Sequence, residues 1–193
     1  MFQTVSNIVL LLLMLQVATP VRAQLSTFVR YGYSNYTYDN IYVDIPQGWL
    51  IHSNYDEFLY VYGPSLDKAI CNTSLHPICT TTMWIEVDRL NTKTDARRLV
   101  SDRTLGQRVY WDFQTKATFV SPDRLTALTI LRNNHAHSKH GRRLYSVTGV
   151  QLSPSQGITK TVVLYDITPE SFTRFGGADS VLHILESIQL DPH

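Results

Sequence analysis

Between Thr81 and Leu90 the side chains alternate, with Met83, Ile85 and Val87 on one side and Trp84, Glu86 and Asp88 on the other. Successive side chains of a strand point to opposite faces of a sheet, so a period of two predicts a strand with one face in a core. Ile41, Val43 and Ile45 alternate in the same way with Tyr42 and Asp44, and Pro46-Gln47-Gly48 then makes a turn into Trp49-Leu50-Ile51. Residues 57–62 (EFLYVY) are β-branched and aromatic and are closed by Gly63-Pro64. Further strands are expected at 108–113, 117–120, 125–131, 144–152 and 158–167.

Only two stretches break this period. Residues 95–105 place Ala96, Leu99 and Val100 at helical spacing, with Asp95 in the first turn and Gly106 where a C′ residue belongs. Thr168-Pro169-Glu170 reads as a cap with proline at the first helical position. Gly176-Gly177 interrupts the segment, and Val181, Leu182, Leu185 and Ile188 form an apolar stripe. Strands in hairpin-like succession with two main helical stretches indicate an α+β fold: a twisted antiparallel sheet flanked by helices that bury their stripes on it.

The N-terminus implies export. Residues 8–17 (IVLLLLMLQV) are an apolar run of about half the ~20 residues a membrane-spanning helix needs, which suits a signal-peptide core. Pro20 breaks the helix, and Val21-Arg22-Ala23 supplies a cleavage site before Gln24. Residues 2–7 lack Lys and Arg, and an uncleaved anchor is the competing reading. The expected organisation is therefore a signal peptide (1–23) and a single exported α/β domain (24–193), periplasmic or extracellular. Without Arg22 the mature chain carries 16 Lys and Arg against 16 Asp and Glu. A neutral chain lacks the basic excess that drives nucleic-acid binding and the cluster that holds a protein on anionic lipid. No stable membrane insertion is expected after cleavage.

Cys71 and Cys79 bracket a polar loop, and an even, close pair in an exported chain reads as a disulfide. Closing so short a loop stabilises by roughly 2.6 kcal/mol on the chain-entropy account. Asn35-Tyr36-Thr37 and Asn72-Thr73-Ser74 match the N-glycosylation pattern, which matters only in a eukaryotic secretory pathway.

The strand running into Asp44-Ile45-Pro46-Gln47-Gly48-Trp49 resembles the I-P-x-G-W opening of the PsbP/Mog1/DcrB-like domains. As in that family, strands, a middle helix and a long meander follow, and the closing helix ends Leu185-Glu186-Ser187-Ile188. The resemblance spans roughly residues 41–190, and the disulfide loop departs from the usual pattern. It implies an α/β/α sandwich acting as an adaptor, assembly factor or chaperone-like binder rather than an enzyme.

Candidate chemistry is sparse. His135, His137 and His140 lie in one short stretch, and His-x-His on an extended segment puts both imidazoles on one face as Zn²⁺ or Cu²⁺ ligands. The competing reading is an exposed hairpin tip, in which Lys139, Arg142 and Arg143 would repel a cation. Glu86 and Asp88 share a strand face with Trp84, a pairing that a glycoside hydrolase could use, although alternating acids also suit a solvated face. Gly-x-Ser-x-Gly and His-Glu-x-x-His are absent from the sequence. Eight of the eleven Tyr lie between residues 31 and 62. Tyr31, Tyr33, Tyr36 and Tyr38 precede the first secure strand and are the candidate partner-binding residues. The expected role is thus a non-enzymatic exported binding or adaptor protein with a protein partner and no cofactor, such as an accessory factor of an envelope or secretion system. The alternatives are a metal-binding protein or hydrolase using the His loop or the Glu86/Asp88 face, and an immunity protein against a periplasm-acting toxin.

Overall fold

A computed structural model describes residues 28–33, 41–55, 58–63, 81–90, 92–133 and 144–190. Its strands are β1 (Phe28–Tyr33), β2 (Ile41–Pro46), β3 (Leu50–Tyr55), β4 (Phe58–Tyr62), β5 (Thr82–Arg89), β6 (Phe113–Val120), β7 (Thr126–Asn133), β8 (Tyr145–Ser153), β9 (Ile158–Ile167) and β10 (Gln189–Leu190). The helices are α1 (Ala96–Tyr110), α2 (Pro169–Phe175) and α3 (Gly177–Ser187). The signal-peptide region, Cys71, Cys79 and both Asn-x-Thr/Ser sites lie outside the described residues.

A seven-stranded antiparallel sheet, ordered β3-β4-β5-β9-β8-β7-β6, carries the expected architecture. A second, three-stranded sheet, β1-β2-β10, goes beyond it. There Tyr31 lies opposite Val43, and Leu190 opposite Ile41. The two-residue β10 is too short to show a period in sequence, and its pairing depends on α3 delivering the chain beside β2.

The alternation in β5 sorts its residues onto two cores. Met83, Ile85 and Val87 join Leu59, Val61, Val147, Val162 and Leu164 in the main core, under β2, α2 and α3. On the opposite face, Ala96 and Val100 of α1 pack on Ala127, Val150 and Leu152 in a smaller core. The single helix α1 covers one face, and α2 and α3 with the small sheet cover the other.

Local chemistry sets the helix ends. Asp95 caps α1 by accepting from the Arg98 amide at 2.8 Å. The helix does not stop at Gly106, and the strand expected at 108–113 is helical as far as Tyr110. Nothing approaches within 4 Å of a side chain placed at Gly106, and its backbone is not left-handed, so the glycine does not act as a C′ residue. The last turn closes instead where Trp111 N–H donates to the Gln107 carbonyl at 3.2 Å, and Asp112 (φ 51°) turns the chain into β6. Thr168 caps α2 as read from sequence, accepting from Ser171 N–H at 3.2 Å. Gly176, at φ 102°, ends α2 in the left-handed region and starts α3.

The seating of α3 on the sheet depends on Gly149. A Cβ there would stand 2.8 Å from Leu185 Cδ1 and 3.0 Å from Val181 Cγ1, and both of those side chains are fully buried. The missing side chain is what lets the helix approach β8 so closely. Gly149→Val is expected to destabilise the fold by about 1–3 kcal/mol through overpacking, read as a lower urea midpoint. An unchanged midpoint would refute this account of helix seating.

Candidate functional site

Trp84, Glu86 and Asp88 do share the face of β5 turned away from the main core. It is not a solvated face. Tyr60 stacks on Trp84 with ring centroids 5.6 Å apart, and Tyr165 of β9 adds a tilted contact at 6.3 Å. Such aromatic pairs contribute about 0.5–1.5 kcal/mol beyond their burial. Glu86 is only 9% exposed.

Arg103 of α1 straddles the two acids. Its Nη1 pairs with Glu86 Oε2, and its Nη2 pairs with Asp88 Oδ2 at 2.5 Å. One guanidinium thus serves both carboxylates, a forked geometry suited to planar acids. Burial pushes the Glu86 carboxyl up to about 7, outweighing the lowering by Arg103, and Asp88 pushes it further the same way. Beside this triad the Gln107 side chain hydrogen-bonds Tyr165, whose hydroxyl is raised chiefly by burial. A glycoside hydrolase needs its two carboxyl groups to flank open space. Here both converge on Arg103, so the arrangement fastens α1 to the sheet.

Tyr31 of β1 is half-buried and packs against the main core. Tyr33 ends β1 opposite Ile41, so these two lie on one strand of the small sheet. Tyr36, Tyr38 and the three loop histidines His135, His137 and His140 lie outside the described residues. Among the described residues no group of three His, Cys, Asp or Glu side chains is gathered as metal ligands.

Two features escaped the sequence reading. Lys160 of β9 is 5% exposed, opposite Val87, with its ammonium pKa lowered by burial against the opposing pull of Glu186. The end of α1 also presents Leu105, Val109, Tyr110 and Trp111 to solvent, with Tyr110 83% and Trp111 66% exposed. The inner face of α1 is Ala96, Val100 and Thr104, so Leu105 and Val109 fall one turn apart on the outer face. Single exposed apolar residues are ordinary on a protein surface, but here four fall within seven residues of chain. The i, i+4 spacing of Leu105 and Val109 was the available signal.

No family model and no curated protein matches the chain. Among solved structures, the Ran-binding protein Mog1p of Saccharomyces cerevisiae superposes with a TM-score of 0.54, covering 85% of this chain and 96% of its own, at 9% identity. A mutant of protein Mog1 gives the same score over 84% and 96%, at 8% identity. At such identity the likeness is one of fold, and it bears out the Mog1/PsbP-like α+β architecture.

The raised Glu86 carboxyl makes stability depend on pH. A carboxyl that holds its proton more tightly folded than unfolded favours the fold below its ordinary value of 4.5, and that contribution is lost as pH rises through about 7. Glu86→Gln stays uncharged throughout. Between about pH 5 and about pH 8 it is expected to gain on the order of 1–3 kcal/mol relative to the wild type in urea unfolding. A wild-type-to-variant difference that does not change with pH would show that Glu86 ionises as it does in water.

Proposed function

We propose that this chain is an exported, non-enzymatic protein-binding adaptor, working as an accessory factor at a cell envelope or secretion system. The observation that carries the binding role is the contrast on the α1 side of the sheet. Glu86 and Asp88 there are closed onto Arg103, while Leu105, Val109, Tyr110 and Trp111 stand in solvent. Aromatic residues at such positions give large contact area at low entropic cost and are enriched in protein interfaces. The Mog1-like fold supports the reading, since Mog1p is itself a Ran-binding protein. Export rests on the apolar run at 8–17 and the small residue at Ala23. Among the described residues no helix is long and apolar enough to cross a membrane.

The test is affinity capture with the mature protein from its own envelope fraction. The wild type should enrich a reproducible protein partner, and Trp111→Ala combined with Leu105→Asp should lose it. Exposed substitutions of this kind typically shift stability by no more than about 0.5 kcal/mol, so melting should be preserved. The captured protein itself should begin at Gln24. Equal recovery by wild type and variant, or no partner at all, would overturn the binding reading. An intact N-terminus on cytosolic chain would overturn export.

A further inference from the structure

The seven-stranded sheet ends at β6, and what that edge offers is unusually specific. Residues 114–119 are exposed, whereas the neighbouring strands are largely buried. The register fixes which backbone groups face outward. Ser121 N–H donates to the Thr126 carbonyl at 2.8 Å, and the ladder continues as Val120–Ala127, Phe119–Leu128, Thr118–Thr129 and Ala117–Ile130. Bonded and non-bonded pairs alternate in an antiparallel ladder. Phe119 and Ala117 therefore bond inward to β7, and Thr118 and Val120 turn their N–H and C=O groups away from the sheet. The 3.2 Å contact between the Thr118 and Thr129 hydroxyls agrees, because side chains stand closer in a non-bonded pair.

Natural sheets guard such an edge with charge, most often lysine. The single charge in β6 is Lys116, at the irregularity between Thr115 and Ala117. It is bent away from the edge. Its Nζ donates to the Tyr145 hydroxyl at 2.6 Å and stands 5.0 Å from the centre of that ring. The stretch from Ala117 to Val120 is left uncharged, with Phe119 46% exposed.

We propose that β6 is a self-association edge, on which a second copy of this chain pairs antiparallel about a two-fold axis at Thr118. That axis matches the outward groups. Thr118 exchanges both backbone hydrogen bonds with its own copy, and Phe119 stands over Ala117 of the other chain, large against small, twice. No like charges meet at the axis, and the mature chain's 16 cationic against 16 acidic residues give no net repulsion between copies. A single pair of strands buries less than the roughly 800 Å² per partner of a stable complex, so the dimer is weak and forms with rising concentration. It is independent of the Leu105–Trp111 surface, so capture of a partner and self-association can fail separately.

Sedimentation of the mature chain from low micromolar to several hundred micromolar tests the proposal. The wild type should rise from the mass of one chain towards twice that mass. Thr118→Pro removes an outward N–H and the hydroxyl contact with Thr129 but leaves the β6–β7 backbone bonds in place, while Thr118→Lys sets like charges against each other across the axis. Both variants should remain at the mass of one chain at the highest concentration, with the circular dichroism of the wild type. Should Thr118→Pro not fold, Thr118→Lys alone decides. A wild type that stays at one chain throughout, or a dimer that survives Thr118→Lys, overturns the proposal.

Discussion

The central strands β8 and β9 are buried on both faces, and this one constraint organises the rest of the molecule. A strand with one wet face needs a single covering layer, but Val147 and Val150 are both fully buried while pointing in opposite directions. Two layers must therefore close on the same strands. Gly149 leaves the space for α3 on one side, and the small side chains Ala96 and Ala127 let α1 lie close on the other. The second sheet follows from the same demand, since Ile41, Val43 and Ile45 of β2 complete the main core. Asp44, which faces outward between them, accepts from Arg30 at 2.7 Å and also holds His183 of α3 at 3.1 Å.

The two sides of the sheet are fastened by different means. The main core is broad and almost wholly apolar. The α1 side has a small apolar core, and a polar clasp extends it. Arg103 reaches past that core to Glu86 and Asp88 on β5, tying the helix to a strand beyond the ones it rests on. Partial burial raises the cost of ionising Glu86, so the clasp positions the helix more than it stabilises the fold. Beyond this clasp α1 carries its apolar residues outward, and that is where a binding role finds its surface.

Much of the architecture was legible because period-two patterns survive burial. Met83, Ile85 and Val87 announced a core-facing strand, and Thr168-Pro169 announced a helix start. Misreadings came where local signals and tertiary context parted. Gly106 looked like a helix end because glycine is common there, yet packing of Val100 and Thr104 on the sheet carries the helix past it. Glu86 and Asp88 looked solvated because their partner lies on a different element, and no spacing rule links β5 to Arg103. The fold was readable to this extent, while the role of that face was not, since function sits in side-chain constellations rather than in the fold.

Native-state hydrogen exchange tests the claim of a doubly covered centre most directly. Amides of Val147, Val150, Val162 and Leu164 should exchange only through global unfolding, with an opening free energy equal to that from urea denaturation. Amides of α1, held by the smaller core, should open at lower free energy. If the β8 and β9 amides exchanged as readily as those of α1 or β6, the centre would not be the part on which the two layers depend.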